Sequence, residues 1–302
     1  MNKLVLKTSV WNLFKNYFYV LIYNCLSKRS LPLFTRGGDI ISAGPNVIGC
    51  HEPQVTSAII GFSQMGRSDF LIDVGANIGL ISCICGNKFA SVVMFEPNSL
   101  CLGVLSSNCS IALKDRQYEI RPYGLGRRKE KLDLRIPLKN WGGAFLETKD
   151  NSYGKSILIS KDGFKEDDPK NYYSQTIEIE SAELIFQDLF NNYAKLGRCK
   201  GTIKIDVEGF EMIILEAIAK MLPTHFEVSI IFENLGGGVS NILDAFGGRA
   251  KIYAIEKYPG NSSSRVAKAI KLIIKGRQEY RLQDWSEISQ ATDLVLDVSK
   301  QI

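Results

Sequence analysis

Histidine is nearly absent from this chain. Only His51 and His225 occur among 302 residues, which leaves little basis for a histidine-built metal site or a Ser/His/Asp triad. Seven cysteines are present, but no CxxC pair. The closest two, Cys83 and Cys85, have a spacing that suits neither a zinc knuckle nor a redox pair. Reduced, partly buried thiols in a cytoplasmic setting are the expectation. Neither G-x-G-x-x-G nor G-x-x-x-x-G-K-[ST] occurs, so the dinucleotide fingerprint and the triphosphate cradle are both missing. A dense basic run is also lacking, and nucleic acid is not an expected partner.

Long hydrophobic runs are missing as well. The aromatic stretch SVWNLFKNYFYVLIYNCLSKRS is interrupted by Asn12, Lys15, Asn16 and Asn24. Its unbroken part, Tyr17 to Tyr23, falls far short of the roughly 20 residues of a spanning helix. With no small-residue cleavage site after it, a signal peptide is not the preferred reading. It reads as an amphipathic helix, packed on the protein body or a partner chain, or lying peripherally on the inner membrane face. Packing is the simpler expectation.

What remains is an ordinary globular composition, 45% hydrophobic and 23% charged, which argues against wholesale disorder. The net charge of +5 is mild for this length. Residues 1–66 read as an N-terminal extension of helix and hairpin. From 67 to 302, apolar strands alternate with helical patterns. DFLIDVG, SVVMFEP, YEIRPYGL, QTIEIE, GTIKIDVEG, FEVSIIFENL, KIYAIEKY and TDLVLDV read as strands, and Asn98 and Ser181 as helix N-caps. That alternation predicts an α/β fold: a Rossmann-like, doubly wound, mostly parallel sheet of at least seven strands. A polar insertion at about 139–175 reads as a lid or binding loop, with disorder as the competing reading.

Three strand ends carry the chemistry. Asp73-Val74-Gly75-Ala76-Asn77-Ile78-Gly79 closes the first strand with glycines where positive φ or a close ligand needs them. Glu96 ends the next strand, about 21 residues after Gly75, the offset at which an acid can accept hydrogen bonds from a ribose diol. Pro97 and Asn98 follow. In IKIDVEGFE, Lys204, Asp206 and Glu208 alternate onto one face. With Glu211 and Glu233 they suit a general base, an anchor for a substrate, or metal ligands.

Together, DVGANIG, FEPN and IKIDVEGFE resemble the FkbM family of S-adenosylmethionine-dependent methyltransferases, and GLGRRKEKLDL and FENL are similar to family positions. The resemblance implies a class I methyltransferase-like fold and methyl transfer to a hydroxyl, usually of a sugar or natural product. It implies that Asp73, Gly75, Ala76, Asn77 and Gly79 cradle the methionine part of the cofactor. Glu96, with Pro97 and Asn98, would hold the ribose. Asp206, Glu208 and Lys204 would carry the catalytic role, with a divalent cation as an optional addition and no metal ligands assigned. The preferred acceptor is a polysaccharide or glycolipid precursor. A small natural product, or a non-catalytic nucleoside-binding role, stands as the alternative.

Overall fold

The computed structural model describes residues 10–27, 31–39, 41, 45–46, 49–151, 168–234, 239–258, 279–285 and 293–299. Its centre is an eight-stranded sheet flanked by helices on both faces. The strands are β1 (Phe70–Val74), β2 (Ser91–Phe95), β3 (Gln117–Arg121), β8 (Lys200–Ile205), β9 (Glu227–Glu233), β10 (Ala250–Tyr258), β11 (Glu279–Asp284) and β12 (Asp293–Val298), in the order β11-β10-β12-β9-β8-β1-β2-β3. From β3 to β9 neighbouring strands run parallel. β12 runs antiparallel between β9 and β10, and β11 pairs antiparallel at the edge. The sheet is therefore mixed, with eight strands where at least seven were expected. β11 escapes sequence reading because EYRLQD sets Tyr280 and Leu282 among four polar residues, unlike a buried strand.

β1 and β2 are buried at every position, as parallel strands covered on both faces must be. Alternation divides their side chains between two layers. Phe70, Ile72 and Val74 face α5 (Ala182–Lys195), α6 (Glu211–Met221) and α7 (Val239–Ala245), where Phe186, Phe190, Ile214 and Ile242 complete one core. Leu71 and Met94 face α2 (Pro53–Gln64), α3 (Leu80–Cys85) and α4 (Ser99–Ala112), against Ile59, Ile81 and Leu105. Cys83, Cys85, Cys101 and Cys109 are buried free thiols of this side.

Between β3 and α5 a second sheet forms, of order β4-β7-β5-β6, from β4 (Gly124–Gly126), β5 (Glu130–Pro137), β6 (Phe145–Leu146) and β7 (Tyr172–Ser181). This corrects two sequence expectations. QTIEIE belongs to β7 of this small sheet, antiparallel to β5, rather than to the central one. YEIRPYGL divides between β3 and β4, in different sheets. The physical sign is burial on one face only. Ile177 and Ile179 alternate with exposed Thr176 and Glu178, as in a sheet that covers a single layer. The expected insertion lies inside this subdomain, and its residues 152–167 fall outside the described residues.

Through its described side chains, α1 (Val10–Ser27) does not pack on the protein body, one of the two packing partners expected for it. Each of its described side chains, from Val10 to Ile22, is exposed, including Trp11, Phe14, Tyr17 and Phe18. No strand occurs among the described residues between α1 and α2, and residues 28–30, 40, 42–44 and 47–48 of the expected hairpin lie outside them. Residues 34–39 strap the body. Asn108 brackets Phe34 with two hydrogen bonds, at 2.6 and 3.0 Å. Arg36 lies 4.1 Å above the Trp141 ring, and Asp39 Oδ2 accepts from Trp141 N at 3.3 Å.

Candidate active site

Parallel strands of an open α/β sheet deliver their ligands to the carboxyl ends. There, two cavities adjoin over β1, β2, β8 and β9. The first runs over Gly75, Asn77, Glu96 and Pro97 and past Tyr123 and Leu125, and is roofed by Phe145, Ile177 and Ile179 of the small sheet. The second is lined by His51, Glu52, Lys204, Asp206, Glu233 and Asp293 among others. Asn77, Gly142, Asp206 and Glu208 line both.

Glu96 is held by two backbone donors. Its Oε2 accepts from Asn77 N at 2.7 Å and its Oε1 from Asn98 N at 2.8 Å. Burial pushes its pKa up to about 7 against the pull of those two bonds. Each oxygen keeps a lone pair for a ligand hydroxyl. Asn98 also caps α4 as expected, its Oδ1 accepting from Leu100 N at 3.0 Å, while its Nδ2 donates to Trp141 O.

Lys204 is the electrostatic hinge of the site. β1 and β8 place it opposite Asp73 in register, with Nζ 3.3 Å from Asp73 Oδ1, 3.2 Å from Asp206 Oδ2 and 3.2 Å from Gly75 O. Burial opposes its charge, but Asp73, Asp206 and Glu52 outweigh that and hold the ammonium above its ordinary pKa. Asp73 is wholly buried. Its Oδ2 accepts from Ser82 Oγ at 2.6 Å, while Oδ1 makes no hydrogen bond and meets Lys204 as an ion pair.

The glycines have concrete neighbours. Gly75 and Gly79 both adopt φ of 82°. A Cβ on Gly75 would collide with the Asp206 carbonyl, and one on Gly79 would stand 2.6 Å from Leu105 Cδ1. They let β1 approach β8 and α3 approach α4. The helix that follows the turn starts only at Leu80. Asn77 itself is left-handed, at φ 52°, and its N–H is spent on Glu96. Three further amides of the turn are taken by the protein itself: Gly75 N and Ala76 N donate to Phe95 O, and Gly79 N to Ala76 O.

The candidate residues thus separate into two layers. Gly75, Asn77, Glu96, Pro97, Asp206 and Glu208 line the first cavity, and Lys204 lines the second. Asp73, Ala76, Gly79 and Asn98 stand behind them as support. Glu208 reaches its place differently from expectation. β8 ends at Ile205, and a turn through Glu208 at φ 53° and Gly209 at φ 106° aims the chain there, rather than strand alternation. Glu211 serves the turn, its carboxylate accepting from Val207 N and Gly209 N at 3.0 Å each.

Sequence reading passed over His51, Glu52 and Asp293. They lie far from the motifs in the chain, and only folding of α2 and β12 against β9 brings them to the second cavity. His51 is pushed down to about 4, first by burial and then by Lys204, so it is neutral at pH 7. Glu52 is pushed up to about 7, first by burial and then by Asp206. Trp141, expected as either a stacking surface or core, lines the first cavity with its indole Nε1 buried and unpartnered. Such a donor calls for an acceptor, which a bound ligand can supply. Tyr172 packs edge-on against Phe145 and under Arg135, and Tyr173 is exposed. Among the described residues, no group of three or more His, Cys, Asp or Glu side chains is arranged to hold a metal ion.

The strand order, the antiparallel strand β12 set between β9 and β10, and cavities at the carboxyl ends define a Rossmann-like fold of the class I methyltransferase kind. The sequence profile of the FkbM methyltransferase domain matches residues 73–247, and the chain belongs to that family. It is similar to methyltransferase sdnD of Sordaria araneosa, 29% identical over 166 residues, 52% of this chain and 62% of that protein. The match thus spans less than two thirds of the relative's length. Among solved structures it is similar to a precorrin-6Y C5,15-methyltransferase from Geobacter metallireducens (TM-score 0.41, 8% identity, 89% of this chain and 95% of that one). It is also similar to the O-methyltransferase TomG from Streptomyces achromogenes (TM-score 0.38, 9% identity, 98% and 100%). His51, Glu52 and Asp293 lie outside the segment that matches the family.

Proposed function

We propose that this protein transfers a methyl group from S-adenosylmethionine to a hydroxyl of a sugar or glycan acceptor. The observation that supports it most is the junction of two unlike cavities. One has apolar walls and the Glu96 carboxylate, as a nucleoside needs. The other is polar and rich in carboxylates. They meet at Asn77, Gly142, Asp206 and Glu208.

The bound cofactor supplies a methyl group already activated on a positively charged sulfur. The chain's task is then to position and to move one proton. Glu96 would hold the ribose on its free lone pairs, and Tyr123, Leu125 and Ile179 would line the place of the base. Asp206 and Glu208, at the junction of the cavities, would set negative charge toward the cationic end of the cofactor. One of these two carboxylates takes the proton of the acceptor hydroxyl. Neutral His51, on the wall of the second cavity, offers that hydroxyl a hydrogen-bonding group. Glu52, Asp206, Glu208, Glu233 and Asp293 around a single lysine favour a polyhydroxylated acceptor without phosphate or carboxylate groups, which they would repel.

Titration calorimetry with S-adenosylhomocysteine, with NAD as the control, tests the cofactor. Methyl transfer to a panel of neutral and anionic sugars, read by mass spectrometry, tests the acceptor. Asp206→Asn and Glu208→Gln are expected to lose transfer, with cofactor binding weakened more in the first. Binding of NAD alone, or full turnover in both variants, would overturn the reading.

A further inference from the structure

We infer that α1 docks the protein onto an anionic lipid surface. This goes beyond the methyl-transfer reading and does not depend on it. All the described side chains of α1 are exposed, and the largest among them are aromatic: Trp11 is 63%, Phe14 62%, Tyr17 71% and Tyr19 66% exposed. A contiguous apolar surface of this kind on a soluble body marks an interaction site.

Two features of the sequence select the lipid surface over a protein partner. The first is charge. Residues 1–38 contain Lys3, Lys7, Lys15, Lys28, Arg29 and Arg36, and no acid precedes Asp39. These six positive charges exceed the net +5 of the whole chain, so the rest of the molecule is close to neutral. Basic residues beside an apolar helix are drawn to anionic headgroups. The second is pattern. Lys15, Asn16 and Tyr19 recur at helical spacing along one side of α1, leaving Trp11, Phe14, Phe18 and Leu21 on the other. Tyrosine and tryptophan favour the headgroup level. At 18 residues the helix is about 27 Å long, and among the described residues no helix is long and apolar enough to cross a membrane. It therefore lies in the interface plane.

The attachment point gives the docking a direction. Past α1 the chain straps the body through Phe34, Arg36 and Asp39 and reaches Ile41, which lines the second cavity. A lipid-bound α1 holds the mouth of that cavity near the bilayer.

The test is co-sedimentation of the full chain with phosphatidylcholine vesicles, with and without phosphatidylglycerol, at low and high salt. Pelleting is expected only with the anionic vesicles, and it should weaken as salt screens the charge. The combined variants Trp11→Ser/Phe14→Ser/Phe18→Ser and Lys3→Glu/Lys7→Glu/Lys15→Glu should each lose binding by about tenfold or more. Thermal melting of the aromatic variant should be unchanged, because Trp11, Phe14 and Phe18 are exposed, and the same readout serves as the folding control for the charge variant. No pelleting, or equal pelleting with neutral vesicles, overturns the inference. So does sedimentation-velocity evidence that α1 instead pairs two copies of the chain, abolished by the aromatic variant.

Discussion

At Glu96 and Lys204 the site rests on buried charge. Glu96 donates nothing while ionised and accepts from two backbone N–H groups, so its remaining lone pairs are the ones open to a ligand diol. Glu96→Gln is expected to lower S-adenosylhomocysteine affinity about 10- to 100-fold, the weight of one or two hydrogen bonds to a charged group. Because burial raises the carboxyl to about 7, the accepting carboxylate fills as pH rises through that value. Affinity should climb over the same range in the native protein and stay flat in the variant, as calorimetry at pH 6 to pH 8 would show. Lys204→Met leaves Asp73 fully buried beside no cation. A loss of about 3–5 kcal/mol in urea denaturation is expected. A loss below about 1 kcal/mol, the range of surface ion pairs, would mean the pair is not desolvated.

The elements around the site are held at close approach by backbone, which side-chain substitutions test directly. At Gly75 the φ of 82° and the Asp206 carbonyl leave no room for a Cβ. The obstacle is main chain of the neighbouring strand, so it cannot rotate away. Gly75→Ala should cost about 1–3 kcal/mol from left-handed strain alone, with more from separating β1 and β8. Its signature is a lower urea midpoint together with weaker S-adenosylhomocysteine binding, since Asp206 must shift. The small sheet is the roof over the first cavity. Ile179 is 1% exposed and lines that cavity. Ile179→Ala is expected to destabilise by about 2–5 kcal/mol and to weaken the cofactor while leaving the second cavity's own residues in place.

Across the whole molecule, buried carboxyls set an unusual pH response. Glu52, Glu96 and Glu211 are each raised from 4.5 to about 7, with burial the largest cause. A raised acid binds more protons folded than unfolded between those values. Stability therefore falls as pH rises from about 4.5 to about 7, and the loss is complete above that window. The melting temperature of the ligand-free protein should drop over this range, and a rise across it would contradict the burial of these groups. S-adenosylhomocysteine should narrow the drop if Glu96 is the residue that it engages.

The sequence alone determined the parts whose physics is local. Continuous apolar runs named β1, β2, β8 and β9, because strands covered on both faces must exclude polar side chains. Asn98 announced the start of α4, because its side chain caps the helix. Asp73, Glu96, Lys204 and Asp206 were legible as strand-end polar groups, since nothing in a buried strand explains them otherwise. Tertiary structure decided the rest. Whether QTIEIE joined the central sheet depended on which partner strand met its half-buried face. The glycines of DVGANIG proved to answer to Asp206 and Leu105, neighbours far away in the chain. His51, Glu52 and Asp293 became one cavity wall only when β12 closed against β9. No local pattern records such pairings, because a residue's sequence neighbours do not say what will be packed across from it.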